Sequence, residues 1–407
     1  MTPSRPAVGR RPRAAAGRLA ARCIVLDAEH VLAPGEIAWD ANGRVLSLRR
    51  VRRAEHDLCL LPGLVDAHVH LQLEPLVRPP RAFVPWARAV MASQRDVPSA
   101  RHAQRLTAAA HALMADGVTA FGEIDGSGCA LAALARTPAA GRCYRELTGF
   151  HLDARASRRL VRERRAAGRG AIASGLSPHA PYSVSAALFA AARAVGAPLA
   201  VHCAETPAEQ EFLRHGRGPF RELLEALGRL PAGFVPPRRG AVRWLEHLGL
   251  LGPRTHLVHC QELERGDAGR IAAAGSPIVV CPGTIAWFGR TPPPVDRWLG
   301  AGIAVALGTD SRASNDAWSL RRDLQLAARW WPQLPPAALL AMATVHGATA
   351  LARRGLGRLR RGGRADFVAI DGDDQPARAI AAFVTGQAPT RMVVAGGATI
   401  AAAGQRR

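Results

Sequence analysis

Two histidines two residues apart close the apolar run LPGLVDAHVHLQL, which spans residues 61–73. Side chains alternate between the two faces of a β-strand, so His68 and His70 point the same way if this run is extended. Two imidazoles that converge on one point are typical of a divalent metal site. The chain has 14 histidines, however, and a single His-x-His pair arises readily by chance. The positions of the other polar residues must therefore show whether this pair belongs to a metal site.

Eight short apolar runs, most of them followed by a helix-like stretch, predict a barrel of parallel strands. They span residues 61–71, 117–125, 143–150, 171–182, 198–206, 255–263, 276–284 and 302–311. The helix-like stretches, such as SARHAQRLTAAAHALMADG, end in glycine as a left-handed C-cap requires. Eight such units in about 250 residues match the count of a closed β/α barrel. We therefore expect an α/β protein with a (β/α)8 TIM barrel over residues 61–354.

Ionisable side chains stand at the ends of five of these runs. They are His68, His70, His179, His202, Glu205, His259 and Asp310. The C-terminal ends of parallel barrel strands meet at one mouth, where the chemistry of such barrels lies. Because these residue types bind metals and carry protons, their convergence predicts a metal-dependent active site.

The spacing within two runs refines this prediction. His256 and His259 are three residues apart, so in a regular strand only one of them faces the barrel interior. We assign His259 to the mouth and expect His256 to be a packed or hydrogen-bonded structural residue. Cys203 and Cys260 should point away from the mouth as small buried side chains. Glu205 reaches the mouth only if its strand ends near Ala204, and the Thr-Pro pair that follows supports such an ending.

Composition excludes several classes of protein. No apolar run approaches the roughly 18 residues of a membrane span, so we expect no membrane partner. The seven cysteines are odd in number and scattered without a C-x-x-C pair, which argues against a disulfide framework and favours the cytoplasm. The net charge of +22 invites a nucleic-acid hypothesis, but all 54 cations are arginines spread along the chain. We therefore expect a small-molecule substrate and no nucleic acid, with a homodimer left open.

The two ends of the chain carry strand-like alternation outside the barrel. Residues 18–60 and 355–400 have period-two hydrophobicity and turn dipeptides, so both ends are predicted to be β and to pair. Residues 1–17 are basic and rich in small residues, without the apolar core of a secretory signal. We expect them to form a disordered extension.

Six motifs occur in a fixed order along the chain beyond residue 20: PGLVDAHVH, HAPYSVS, VHCAET, LVHC, GTDSRASN and GRLRRGGRADFVAID. As a set they resemble the amidohydrolase superfamily, in its mononuclear deaminase and chlorohydrolase branch. The resemblance implies a (β/α)8 barrel flanked by a small β-sandwich built from both termini. This agrees with the fold expected from the residues alone.

The resemblance also implies roles for the residues at the strand ends. The implied metal ligands are His68, His70, His202 and Asp310, and the implied acid and base residues are Glu205 and His259, with Asp310 helping to orient or deprotonate the attacking water. Substrate contacts are expected at His179, Gln72 and Trp86. Binuclear members of the superfamily are bridged by a carbamylated lysine, and this sequence has no lysine. A single divalent ion is therefore expected, Zn²⁺ by default, although Fe²⁺ can occupy similar ligands.

The implied reaction is hydrolytic deamination of an aminopurine nucleoside, such as aminodeoxyfutalosine or an adenosine derivative. Two positions depart from the resemblance: Gln72 stands where similar proteins often have an acid, and Gly283 stands where they often have an arginine. Both are expected to face the substrate. Deamination of cytosine, guanine or pterins and the loss of chloride remain alternatives on the same scaffold. An inactive, basic, nucleic-acid-binding barrel is the alternative of another class.

Overall fold

The computed structural model describes residues 15–402 of the chain. Residues 1–17 were predicted to form a disordered extension, and residues 1–14 of it lie outside the described residues. The first strand already begins at Gly17. Among the described helices, none is both long and apolar enough to cross a membrane.

The strands and helices alternate along most of the chain. The strands are β1 (Gly17–Val25), β2 (Val31–Leu32), β3 (Gly35–Trp39), β4 (Val45–Arg50), β5 (His56–Pro62), β6 (Leu64–Val69), β7 (Val118–Asp125), β8 (Ala140–Leu147), β9 (Ile172–Pro178), β10 (Leu199–Cys203), β11 (Thr255–His259), β12 (Ile278–Val280), β13 (Val305–Leu307), β14 (Phe367–Asp371), β15 (Met392–Ala395) and β16 (Ala398–Ala402). The helices are α1 (Phe83–Gln94), α2 (Ser99–Ala115), α3 (Ala130–Leu134), α4 (Ala154–Arg164), α5 (Ala186–Ala194), α6 (Pro207–His215), α7 (Pro219–Ala226), α8 (Ala241–His247), α9 (Asp267–Ala274), α10 (Pro282–Phe288), α11 (Val295–Gly300), α12 (Leu320–Trp330), α13 (Pro336–Met342), α14 (Val345–Ala350) and α15 (Pro376–Thr385).

The eight strands β6 to β13 form one parallel sheet in sequence order, and each of the eight predicted runs supplies one strand. The first and last strands meet, because the His70 N–H donates to the Asp310 carbonyl and the Asp310 N–H donates to the His68 carbonyl, both at 3.0 Å. These bonds bring the ends of the sheet together as a barrel. The predicted (β/α)8 barrel is confirmed.

The barrel strands are buried on both faces, which explains their continuous apolar sequences. Alternate residues divide between two environments. Phe121, Val201 and Leu257 pack against the surrounding helices, whereas Ala120 and Ala200 pack inside the barrel. The interior also holds larger side chains, including Ile124 and Tyr144.

The terminal segments pair in a second sheet of eight strands, with the order β16, β15, β14, β5, β1, β3, β4 and with β2 beside β1. The sheet curls over an apolar core of its own, since Trp39 on β3 lies 5.6 Å from Phe367 on β14, ring centre to ring centre. The Trp39 indole also donates to the Gly397 carbonyl at 3.1 Å. The two halves of this sheet therefore face each other, and the predicted pairing of the chain ends is confirmed.

One short junction joins the two sheets. β5 ends at Pro62 and β6 begins at Leu64, so the change of sheet falls at Gly63. A β-carbon at this position would lie 2.3 Å from the Thr119 hydroxyl oxygen. Glycine is therefore needed at this close approach of the backbone to β7.

The cysteine pattern argued against a disulfide framework, yet the structure contains one disulfide bond. Cys23 on β1 and Cys59 on β5 form a disulfide, with their α-carbons 4.7 Å apart. The parallel pairing of β1 with β5 places these residues opposite each other across 36 positions of sequence, which their spacing alone does not reveal. The other five cysteines are free, and Cys203 and Cys260 are buried as predicted. The cytoplasmic location, which rested on the cysteine pattern, stays a prediction.

The tight packing of the barrel interior yields a stability prediction. A β-carbon at Gly122 on β7 would lie 2.2 Å from the Ala67 carbonyl oxygen, a backbone atom that cannot rotate away. We expect Gly122→Ala to destabilise the protein by about 1–3 kcal/mol, as overpacked cores do. Thermal unfolding measures this change.

Gly269→Ala on α9 is the matched control, since a β-carbon there meets nothing within 4 Å. Alanine should raise the stability of that helix by up to about 1 kcal/mol. Equal melting temperatures for the two variants would contradict the packing argument.

Candidate active site

The predicted ligand residues converge at the mouth of the barrel. Nε2 of His68 and Nε2 of His70 lie 3.8 and 3.7 Å from Oδ1 of Asp310. The donor atoms of His68, His202 and His259 also lie within 4.8 Å of one another. Two ligands at about 2.1 Å from a tetrahedral ion are about 3.4 Å apart, so the 3.7 and 3.8 Å separations suit a shared divalent ion. The two groups of donor atoms overlap at His68.

The hydrogen bonding of these side chains tests whether a metal fits. His68 is fully buried, and neither of its ring nitrogens has a hydrogen-bond partner among the residues the structure describes. Such orphaned atoms cost about 1–3 kcal/mol each unless something binds them. Nδ1 of His202 lies 3.0 Å from the His179 carbonyl, an arrangement that holds the proton on Nδ1 and leaves Nε2 free to ligate. The residues present therefore fit a divalent metal ion.

The protonation of the histidines agrees with this assignment. Burial lowers the pKa of His68, His70 and His202 below the usual value, and neighbouring imidazoles lower the pKa further. The three rings are thus neutral near pH 7. Neutral imidazole is the form that binds a metal ion.

Asp310 is positioned by contacts on one side of its carboxylate. Oδ2 accepts hydrogen bonds from the Thr284 hydroxyl at 2.8 Å and from the Ser314 hydroxyl at 3.0 Å. The opposite oxygen, Oδ1, is the one that faces His68 and His70. Asp310 also has a left-handed backbone with a φ of 56°, a conformation that is costly for aspartate and concentrated at functional sites.

Both histidines of β11 face into the barrel, which corrects the expectation that only one would do so. His256 stacks edge-on against Tyr144 in the interior, and its Nδ1 lies 3.0 Å from the Ala350 carbonyl. It is therefore a hydrogen-bonded structural residue, as predicted. His259 turns into the mouth because its φ of 74° ends the regular strand, so the alternation of faces no longer applies there.

The strand before Glu205 ends as the sequence predicted. β10 stops at Cys203, Ala204 has a φ of 51°, and α6 begins at Pro207. Thr206 caps this helix by accepting a hydrogen bond from the Glu209 N–H, so Glu205 is not the cap.

The Glu205 carboxylate turns toward the histidine cluster instead. Its Oε2 lies 3.8 Å from Nε2 of His259, and its Oε1 lies 3.5 Å from Nη1 of Arg290. Burial raises the pKa of Glu205 and Arg290 opposes that rise. Burial also lowers the pKa of His259 to about 3. The Glu205 carboxyl group, which has a raised pKa, therefore faces the His259 imidazole, which is neutral near pH 7.

A cavity of about 760 Å³ opens above these residues, and the three predicted substrate contacts all line it. His179 is held by the Ser183 hydroxyl, 2.7 Å from its Nδ1. Gln72 donates from Nε2 to the Ile124 carbonyl, while its buried Oε1 has no partner among the described residues. The Trp86 indole donates to the Ala313 carbonyl at 2.9 Å.

Gly283 does not line this cavity, contrary to expectation. A β-carbon at Gly283 would lie 2.1 Å from the Asn315 side chain, and its N–H donates to the Asp323 carboxylate. An arginine at this position would collide with Asn315. The departure at residue 283 is thus explained by local packing rather than by direct substrate contact.

Glu146 and Arg290 are among the cavity or site residues that the sequence analysis missed. Glu146 lies near the C-terminal end of β8 and lines the cavity, so the rule applied to the other strand ends could have found it. Arg290 follows a helix rather than a strand, and no sequence signal pointed to it. Only the folded chain brings it to Glu205.

The parallel barrel and the cluster of candidate metal-binding side chains at the C-terminal ends of its strands are typical of a metal-dependent barrel hydrolase. The chain belongs to the amidohydrolase family, whose sequence profile matches residues 59–400.

Three known proteins illustrate the similarity. Aminodeoxyfutalosine deaminase of Deinococcus radiodurans is 32% identical over 331 residues, which cover 73% of this chain and 75% of that protein. The crystal structure of aminofutalosine deaminase from Helicobacter pylori superposes with a TM-score of 0.76 at 20% identity, covering 94% of this chain and 99% of that one. A zinc-bound adenosine deaminase from Xanthomonas campestris gives a TM-score of 0.74 at 21% identity, covering 94% and 92% of the two chains.

The ligand geometry yields a metal-content prediction. We expect His68→Ala to lose bound metal, because it removes a buried nitrogen donor from the centre of the cluster. His256→Gln should retain the metal content of the parent protein, since His256 bonds to the Ala350 carbonyl. Elemental analysis after gel filtration measures both, once circular dichroism has shown that each variant is folded. Metal loss in the His256 variant with retention in the His68 variant would reverse the assignment.

Proposed function

We propose that the protein removes the exocyclic amino group of an aminopurine nucleoside by hydrolysis of its C–N bond, with aminodeoxyfutalosine as the first candidate substrate. The observation that carries the proposal is the facing pair of Glu205 and His259, 3.8 Å apart beside the ligand cluster. The similarity to the Deinococcus deaminase, over about three quarters of both chains, supports this choice of reaction.

We propose Zn²⁺ as the resident ion, held by His68, His70, His202 and Asp310. Three imidazoles and one carboxylate suit zinc, and the zinc in the Xanthomonas structure supports the choice. The bound ion would supply Lewis-acid activation of a water molecule.

The residues around the ion would then move the protons. Glu205, with its raised pKa, can give a proton from its carboxyl oxygen to a ring nitrogen of the purine. Nε2 of His259, which is neutral before the reaction, can accept a proton from the attacking water. The water oxygen bonds to the ring carbon, His259 returns its proton to the amino group, the C–N bond breaks, and the amino group leaves as ammonia. The remaining hydroxyl proton goes to the Glu205 carboxylate. The ring carbon gains a carbonyl oxygen in its place.

The cavity suits a nucleoside-sized substrate. Its volume falls within the range of roughly 300–1,000 Å³ that is usual for small-molecule sites. Phe83, Trp86 and Phe220 give one wall an aromatic surface that can pack against a planar base. Gln72 Oε1 and Glu146 supply hydrogen-bond acceptors for donors on the substrate.

The alternatives differ in what leaves the substrate. Cytosine, guanine or pterin deamination would release ammonia from another ring, and a chlorohydrolase would release chloride. The inactive nucleic-acid-binding barrel gains from the charge of +22 but does not account for the assembled ligands.

A substrate panel tests the proposal. Aminodeoxyfutalosine, 5'-deoxyadenosine, adenosine, guanine, cytosine, a pterin and a chlorotriazine are each incubated with the zinc-loaded protein, and ammonia and chloride are measured. We expect ammonia release, fastest from a purine nucleoside. Chloride release without ammonia, or salt-sensitive DNA binding with no turnover, would overturn the proposal.

The role of Glu205 gives a separate prediction. Glu205→Gln should keep the metal ion and lose roughly two or more orders of magnitude in turnover, the usual contribution of a proton-transfer group. Steady-state kinetics with elemental analysis measure both effects.

Thr206→Ala is the matched control, because it removes the helix cap next to Glu205 and leaves the carboxylate in place. It should lower stability by about 1 kcal/mol and keep most of the activity. If Glu205→Gln behaved like this control, the carboxylate would have no catalytic role.

A further inference from the structure

Arg290 connects the active site to an aromatic cluster above it. It follows the glycine that ends α10, and its side chain is only 16% exposed. The guanidinium carbon lies 4.3 Å from the ring centre of Phe288 and 5.5 Å from that of Phe83. Contacts with two rings restrict the guanidinium group to a narrow set of orientations.

The guanidinium edge points to one oxygen of Glu205. Nη1 of Arg290 lies 3.5 Å from Oε1, whereas Oε2 faces Nε2 of His259 at 3.8 Å. The two carboxylate oxygens thus have different neighbours. A carboxylate held at one oxygen cannot rotate freely about its terminal bond, so the other oxygen keeps its direction toward the reaction site.

We propose that Arg290 is a positioning residue that holds Glu205 by Oε1 and so aims Oε2 at the reacting atoms. This inference rests on the proposed function of Glu205 as the proton donor. Arg290 itself transfers no proton and acts through Glu205. Its stacking on Phe288 and Phe83 supplies the rigidity, because a charge on a loose side chain would not fix the direction of the carboxylate.

The competing explanation is that Arg290 only fills space in the aromatic cluster. Arg81 provides a matched comparison, since its guanidinium carbon lies 4.4 Å from the Trp287 ring centre and its Nη1 donates to the Trp287 carbonyl at 2.5 Å. Trp287 lies 4.6 Å from Phe288, ring centre to ring centre, so Arg81 stacks on the same aromatic cluster. Arg81 has no ion pair or hydrogen bond with Glu205 in the described part of the chain. Loss of stacking alone would affect both variants similarly.

The experiment uses the zinc-loaded protein and the best substrate of the panel. We expect R290A to lower kcat by about 100-fold, the usual effect of misplacing a reacting group by about 1 Å, with KM within about threefold of the parent value. R290K should recover part of the loss, and added guanidinium ion should restore part of the R290A activity. R81A should keep the parent kcat.

Two readouts separate positioning from packing. In the E205Q background, R290A should cause no further loss of kcat, because the residue through which it acts is already disabled. A crystal structure of zinc-loaded R290A should show the Glu205 carboxylate turned away from His259 or in more than one conformer, with the metal content unchanged.

Each outcome bears on one claim. If the parent protein releases no ammonia from any substrate, the proposed function fails. If the parent is active and R290A matches it, or if R290A and E205Q lower kcat independently, the positioning role fails. An unchanged Glu205 conformation in the R290A crystal would overturn the positioning role as well.

Discussion

The contact between the first and last strands of the barrel is the constraint on which the rest of the structure depends. Two backbone hydrogen bonds close the sheet, and the residues that make them are His68, His70 and Asp310. The contact that closes the barrel therefore also brings these three candidate metal-binding residues together. The Asp66 carboxylate strengthens the same seam by accepting hydrogen bonds from the backbone N–H and the hydroxyl of Thr309. An error of one residue in this register would separate the imidazoles from the carboxylate.

The backbone departs from regular strand geometry at several positions around the mouth of the barrel. Ala204, His259, Cys260 and Asp310 all have positive φ angles, and all adjoin the active site. Each such residue costs about 1–3 kcal/mol, which the surrounding hydrogen bonds must offset. In regular strands, Glu205 and His259 would point to the outer face of the barrel. The positive φ angles at Ala204 and His259 turn both side chains into the site instead.

Much of this arrangement could be predicted because it follows from local rules. Eight apolar runs fixed the barrel, and the polar residues at their ends located the ligand cluster around His68. The Thr206-Pro207 pair even predicted where β10 stops. These features depend on neighbours in sequence, and the parallel topology then carries them to a common edge.

Most of the features that could not be predicted depend on distant parts of the chain, although the backbone turn that brings His259 into the mouth is local. Cys23 and Cys59 become partners only through the pairing of β1 with β5. Arg290 contacts Glu205 across 85 positions of sequence. The direction of its side chain depends on its contacts with the rings of Phe83 and Phe288. Gly283 lacks a side chain because Asn315 occupies the adjacent space, and the spacing of residues in the sequence does not reveal this contact. Side-chain packing between remote segments leaves no periodic trace in a single sequence.

The pairing of β5 with β14 has a consequence for how the protein is made. β5 runs directly into the first ligand strand, yet its partner β14 begins at Phe367, about three hundred residues later. During synthesis on the ribosome all eight barrel strands emerge before that partner exists. Until β14 is synthesised, that edge of β5 has no partner, and an unpaired strand edge is open to pairing with other chains. In the finished fold β14 pairs with β5 and covers that edge, so the second sheet also removes a backbone edge to which another chain could bind.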